Sequence, residues 1–308
     1  MKNIFKIIIG FTFLIGLSSC EKVVKVDVPE GETLLVVDAW INDKPGSQTV
    51  RLTTTAPVFN GENTPVAAGA TVSLQDLTNG KTYSFNEVAG TGNYVFTPVS
   101  TDTLCVVGHQ YTLAVSYKGN SYTAMSTLNR TTTIDTVGYD RVTDIGSTTV
   151  KGYYAWLFGK DQPNGKDYYW IKSYKNGVFY NQSNAINVCE DGGGGNGTDG
   201  LCFIPPNAYF NVIPGDKYLQ LNDVYTVEVH SLNKASYEYM IQLTTQLNNS
   251  QAGLFAVTPE NLRTNINPVN SGAPRALGWF NMGMVSSKSF ICLDIPYEDI
   301  YAGGYYCP

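Results

Sequence analysis

No run of lysine or arginine occurs anywhere in this chain, and its formal net charge is −6. A nucleic-acid surface needs a basic stripe to neutralise phosphates, so that class of partner is excluded. Charged residues of either sign are scarce, at 15%, which leaves apolar and neutral polar groups to make most contacts. Histidine is scarcer still, with only His109 and His230. Neither belongs to an H-E-x-x-H pair, and Cys105 with His109 falls short of the four ligands a zinc site needs. Both histidines are expected to be partly buried strand residues. A G-x-S-x-G nucleophile turn and a repeat of fixed period are also lacking. The apolar run at residues 7–17 is too short to cross a bilayer as a helix, which takes about 20 residues.

That short run is the first thing the chain does offer. Lys2 and Lys6 stand at its start, and Leu17-Ser18-Ser19-Cys20 closes it with small residues and a cysteine. This is a secretory signal peptide ending in a lipobox. Residues 1–19 are expected to be removed, and Cys20 to receive a diacylglycerol and further acyl chains such as palmitate. Residues 20–32, broken by Pro29 and Gly31, then form a tether. The expected location is the outer membrane, held by lipid; the sequence does not choose between its periplasmic and outward faces. Cysteine use suits an oxidising compartment. With Cys20 lipidated, the remaining five of six cysteines are an odd set. Spacing does not fix connectivity, but Cys189 with Cys202 and Cys292 with Cys307 are the local pairs expected, leaving Cys105 buried and unpaired.

From residue 33 the chain turns to strands. Tyrosine is abundant at 21 residues, and aromatic and β-branched side chains suit pleated surfaces. Residues 34–41 form an apolar run with Trp40, stopped by Asn42-Asp43-Lys44-Pro45-Gly46. Alternating pairs follow at Val50/Leu52, Val72/Leu74, Tyr83/Phe85, Tyr94/Phe96, Tyr111/Leu113 and Tyr122/Ala124, with Asn79-Gly80 and Lys118-Gly119 as turns. Short strands with regular turns predict an immunoglobulin-like β-sandwich over residues 33–128. The polar stretch 128–136 is taken as the passage to a second β-rich domain over 136–308. There, residues 153–158, 168–174, 224–229 and 277–280 are strand candidates. Asn233 can cap one helix near 234–247, with Tyr237, Met240, Ile241, Thr244 and Leu247 on its buried face.

Candidate chemistry is sparse. Ser231-Leu232-Asn233-Lys234 matches S-x-x-K, but its S-D-N and K-T-G companions are missing, so a coincidence at a helix start is the better reading. The glycine-rich loop 191–200 carries Asp191, Asn196 and Asp199 without the acidic spacing or final Glu of a calcium loop. Asp294 with Glu298 or Asp299 would be the only hydrolase pair considered. Hence no catalytic residue, metal or cofactor is expected. Aromatics crowd the second half, and Trp156, Trp170 and Trp279 are candidates to bind a partner.

Several segments together resemble a known family. They are Leu35-Val36-Val37-Asp38-Ala39-Trp40-Ile41, Asp43-Lys44-Pro45-Gly46, Val50-Arg51-Leu52, Ala70-Thr71-Val72, Tyr111-Thr112-Leu113, Tyr237-Glu238-Tyr239, Thr264-Asn265-Ile266-Asn267 and Leu277-Gly278-Trp279-Phe280. In this order they are similar to the Bacteroidota lipoprotein family called domain of unknown function 4249, from about residue 21 to 285. The resemblance implies an outer-membrane lipoprotein that accompanies a TonB-dependent receptor. It supplies no catalytic or binding residues. The resulting expectation is a non-enzymatic accessory in nutrient capture or uptake; the alternative is an adhesion or structural lipoprotein without a transporter.

Overall fold

The computed structural model describes residues 31–56, 64–99, 102, 104–143, 149–191, 218–249 and 262–293. Cys20, Cys202, Cys307, Asn196, Asp199, Asp294, Glu298 and Asp299 therefore lie outside the described residues. The chain separates into two units, 1–32 and 33–308, and the strands and the helix described here all belong to the second.

The first seven strands are β1 (Leu35–Asn42), β2 (Gln48–Thr54), β3 (Thr71–Asp76), β4 (Thr82–Val88), β5 (Asn93–Phe96), β6 (Gln110–Tyr117) and β7 (Asn120–Thr127). Then come β8 (Thr133–Thr143), β9 (Val150–Lys160), β10 (Tyr168–Lys175), β11 (Val178–Phe179), β12 (Asn187–Glu190), β13 (Val224–Leu232), helix α1 (Lys234–Asn249), β14 (Asn267–Pro268), β15 (Leu277–Gly283) and β16 (Val285–Ile291). The protein is mainly β with one substantial helix.

Alternation dictates the first layer. On β1, Leu35, Val37, Ala39 and Ile41 are buried, while Val36, Asp38 and Trp40 turn to the opposite face. The same rule brings Val50, Leu52, Val72, Leu74, Tyr94, Tyr111 and Leu113 into one core. The strands form a single nine-stranded sheet in the order β14-β7-β6-β3-β4-β5-β2-β1-β15. Because β4 pairs with β3 through its first half and with β5 through its second, the sheet curls over its own core like a sandwich. Tight turns hold the register. At Lys118-Gly119 both residues take positive φ (48° and 77°), as do Asn176 (52°) and Gly177 (77°) between β10 and β11. That is the two-residue hairpin geometry matched to strand twist.

The second layer is built from β11-β10-β13-β16, with β12 also on β10, and from the β8–β9 ribbon. Tyr169, Ile171, Val227 and Val229 face the ribbon's Ile134, Tyr139, Ala155 and Leu157 across a second core. On the ribbon's other face Gly138 makes room for Trp156: a Cβ there would stand 2.2 Å from the indole. The opposite face of β10 and β13 carries Trp170, Lys172, Tyr174, Glu228 and His230, and α1 lies beside it.

Three differences from the sequence reading have physical causes. The chain does leave the first sheet after β7 and start β8 at Thr133, but the segment assigned to a separate second domain returns. Strand β15 pairs in parallel with β1, and β14 pairs with β7, so 33–128 without them is an incomplete sheet. Strand β8 begins inside the stretch 128–136 whose composition suggests a polar connection, since its threonines and aspartates hide the inward Ile134 and Tyr139. The helix starts where the Asn233 cap predicts, with Asn233 Oδ1 accepting from the Ser236 amide at 2.8 Å. Its buried face is rotated, however: Ser236 and Met240 are buried, whereas Ile241 and Leu247 are exposed.

Candidate functional site

Part of the outer face of the first sheet is covered by the second layer. Asp38 pairs across the sheet with Arg51 on β2 and with Trp279 on β15, while Trp40 stands two residues along. Helix α1 and the β10–β11 hairpin rise opposite them. Between these elements lies a pocket of about 460 Å³, walled by Trp40, Trp170, Phe179, Tyr239, Leu243 and Trp279. Its size is within the usual range for small-molecule sites.

The rings are locked together. Trp40 meets Trp170 edge-on at 5.1 Å, and Tyr239 stacks on Trp279 at 4.5 Å with 16° between the planes. The Trp279 indole donates to Ser236 Oγ at 2.8 Å, tying β15 to the helix. The Lys172 ammonium sits 3.8 Å over the Trp170 ring.

Two opposite charges open into this aromatic space. Asp38 and Arg51 are both exposed side chains, standing side by side on adjacent strands. Enclosure by the walls raises the Asp38 carboxyl above its ordinary range, against the lowering effects of the Trp40 side chain, Arg51 and Lys172. Arg51 acts on it as a charge at a distance.

Behind Trp170 is a buried ionic network. Glu228 accepts from Tyr174 Oη at 2.9 Å, bonds His230 Nε2 at 2.8 Å and is paired with Lys44 from the β1–β2 turn. Burial alone would raise Glu228, but His230, Lys44 and Tyr174 outweigh it and bring it to about 2. Burial lowers His230 to about 4 despite Glu228. Burial likewise lowers Lys172 to about 8, with Glu228 and Asp38 opposing. In the same turn Asp43 accepts from the Val285 amide at 2.7 Å, so the first hairpin is pinned to the second sheet.

The residues singled out from sequence divide. Trp170 and Trp279 both line the pocket, Trp279 being largely buried (6% exposed) and hydrogen-bonded, and Trp156 packs over Gly138 in the ribbon. They do not form a common outward surface: Trp170 and Trp279 turn toward the pocket, while Trp156, alternating with the buried Ala155 and Leu157, stands half-buried on the ribbon's other face. Ser231 lies on β13, accepts from the Met284 amide and donates to Asn129, whereas Lys234 is on the helix and exposed beside Glu238. The S-x-x-K match is thus not a nucleophile and its base on one helical face. His109 bonds the buried Asp76 at 2.7 Å, a structural pairing in the first sheet.

Cys189 and Cys292 are buried, and burial raises their thiols to about 12 and about 11; the partners expected for them, Cys202 and Cys307, lie outside the described residues. Cys189 lies level with Ser231 on β13 and Cys292 level with Asp223. That separation of eight strand residues is about 26 Å, so these two are not partners for each other. Cys105 is a third thiol raised by burial.

The sequence reading missed one acidic cluster. Carboxylate oxygens of the buried Asp161, Asp167 and Asp191 lie within 4.8 Å of one another. Arg130 binds Asp167 through Nε at 2.8 Å and grips the carbonyls of Gln162 and Pro163, while the Asp167 amide donates to Asp191. These bonds fasten the β9–β10 connection to the segment after β7. The only sequence signal was Asp191 at the head of the glycine-rich loop.

The sequence model of the family described as "Domain of unknown function (DUF4249)" matches residues 21–289. No curated protein matches the chain. With the match running from residue 21 into β16, the chain belongs to the DUF4249 family.

Proposed function

With that membership as the premise, we propose that the protein is a non-enzymatic, lipid-anchored outer-membrane lipoprotein that binds a small nutrient and works beside a TonB-dependent receptor. The observation that carries the binding part is the aromatic pocket with its Asp38 and Arg51 side chains. Among the described residues its lining includes no histidine, cysteine or serine, and Asp38 is its one carboxylate. Nucleophilic and paired-carboxylate chemistry both need a second group within reach. His230, behind the wall, is already engaged by Glu228.

The anchor rests on the lipobox at Cys20, and the receptor is the partner that the family resemblance implies. The fold supports a binder: pinned hairpins and a continuous sheet give a rigid frame, and ligand sites are usually preformed. Trp279 is buried and bonded to Ser236, which leaves the half-buried Trp156 on the ribbon's other face as a candidate ring for the receptor. Gentle detergent extraction followed by affinity purification tests the reading. Recovery of an outer-membrane β-barrel with the lipoprotein is the expected result. Recovery of the lipoprotein alone, with a receptor expressed in the same cells, would favour an adhesion or structural role.

A further inference from the structure

The pocket's chemistry narrows what it takes, given the binding role proposed above. Its rings are turned against one another rather than laid out as a flat platform: Trp40 meets Trp170 edge-on, Tyr239 covers Trp279, and Lys172 occupies a face of Trp170. Sugar recognition by broad ring stacking has little open surface here. Two other features remain. One is an apolar recess bounded by Phe179, Ile186 and Leu243. The other is the Asp38 and Arg51 pair, opposite in sign, in direct cross-strand register, and open to the recess. Side chains so placed have Cβ atoms roughly 5 Å apart, a spacing suited to two opposite charges on one small molecule.

We infer that the pocket takes a small zwitterion with an apolar or aromatic side chain, the chemistry of an α-amino acid or a short peptide. Its ammonium lies against Asp38 and the Trp40 ring, its carboxylate faces Arg51, and its side chain fills the recess beside Trp170 and Phe179. A carboxylate beside aromatic rings is the arrangement that attracts an ammonium, and a guanidinium fork matches a carboxylate. A fatty acid would use Arg51 and leave Asp38 repelling it; a simple amine would do the reverse.

Calorimetry on the full-length protein in detergent tests this with the dipeptide Leu-Phe, its N-acetyl form and its C-terminal amide, alongside maltose and decanoate. The free dipeptide should bind, and either cap should weaken it at least tenfold. Asp38→Asn should abolish the penalty of acetylation while keeping that of amidation; Arg51→Gln should do the opposite. Both side chains are exposed, and thermal melts confirm that the variants fold. Failure of the dipeptide to bind, or equal binding of capped and free forms, overturns the zwitterion assignment. Binding of maltose or decanoate in its place also overturns it but leaves a nutrient-binding role standing, which receptor co-purification judges separately.

Discussion

At the scale of single residues, the segments that carry the family resemblance have mechanical reasons. Strand β15 has β1 on one side only, and Asn265 covers the other. Its side chain donates to the Phe280 carbonyl at 2.8 Å and accepts from the Phe280 amide at 2.9 Å, while Ile266 fills the first core. The neighbouring Gly278 takes φ of +95°, and a Cβ there would stand 1.9 Å from the Val37 carbonyl oxygen. Only glycine fits so close an approach. Asn265→Ala strands two backbone groups at the fully buried Phe280, so it should destabilise the fold by about 2–4 kcal/mol. Asn265→Asp keeps the acceptor but sets a second carboxylate oxygen against the Phe280 carbonyl, so it should cost at least as much as the alanine. Denaturant unfolding checks both; a change below about 0.5 kcal/mol for the alanine would show that the clamp adds nothing.

At the scale of elements, the buried network on β10 and β13 sets a pH response. His230 is held at about 4 in the fold, below its ordinary 6.5. The unfolded chain therefore binds more protons between those values, and stability must fall as pH drops from 6.5 toward 4. Glu228, held at about 2 against an ordinary 4.5, acts in the same direction: its contribution is present above 4.5 and is lost as pH falls toward 2. Between pH 6.5 and 4.5 the His230 contribution is on the order of 2–3 kcal/mol. Melting curves over that interval should show the loss, and His230→Gln, a neutral donor at every pH, should flatten it. An unchanged slope in the variant would remove His230 from the explanation.

Element scale is also where the sequence was most legible. Alternation located β1 to β7, β9, β10, β13 and β15, and Asn233 located the start of the helix. Strand pairing was not legible, because a parallel β1–β15 contact spans some 240 positions and leaves no local signature. The pocket was hidden for the same reason. Asp38 and Trp40 come from β1, Trp170 from β10, Tyr239 from α1 and Trp279 from β15, and only the pairing brings them together. Counting aromatics pointed to Trp170 and Trp279 but could not separate these pocket walls from Trp156, which packs over Gly138 in the ribbon.

At the scale of the whole molecule, one sheet receives strands from both ends of the described chain, and a pocket forms where the two layers meet. We propose that this frame hangs from a lipid on Cys20. Cys20→Ser should remove fatty-acid labelling and signal-peptide cleavage at that site; normal labelling of the variant would end the lipoprotein reading. An anchor of several acyl chains, unlike a single one, confines a protein stably to the membrane plane, where a barrel receptor is within lateral reach. Chemical cross-linking in intact outer membranes, followed by identification of what is joined to the lipoprotein, bears most directly on this account. We predict a TonB-dependent β-barrel cross-linked to the wild-type protein and lost from Cys20→Ser; a wild-type protein cross-linked only to itself, with the receptor present, would contradict it.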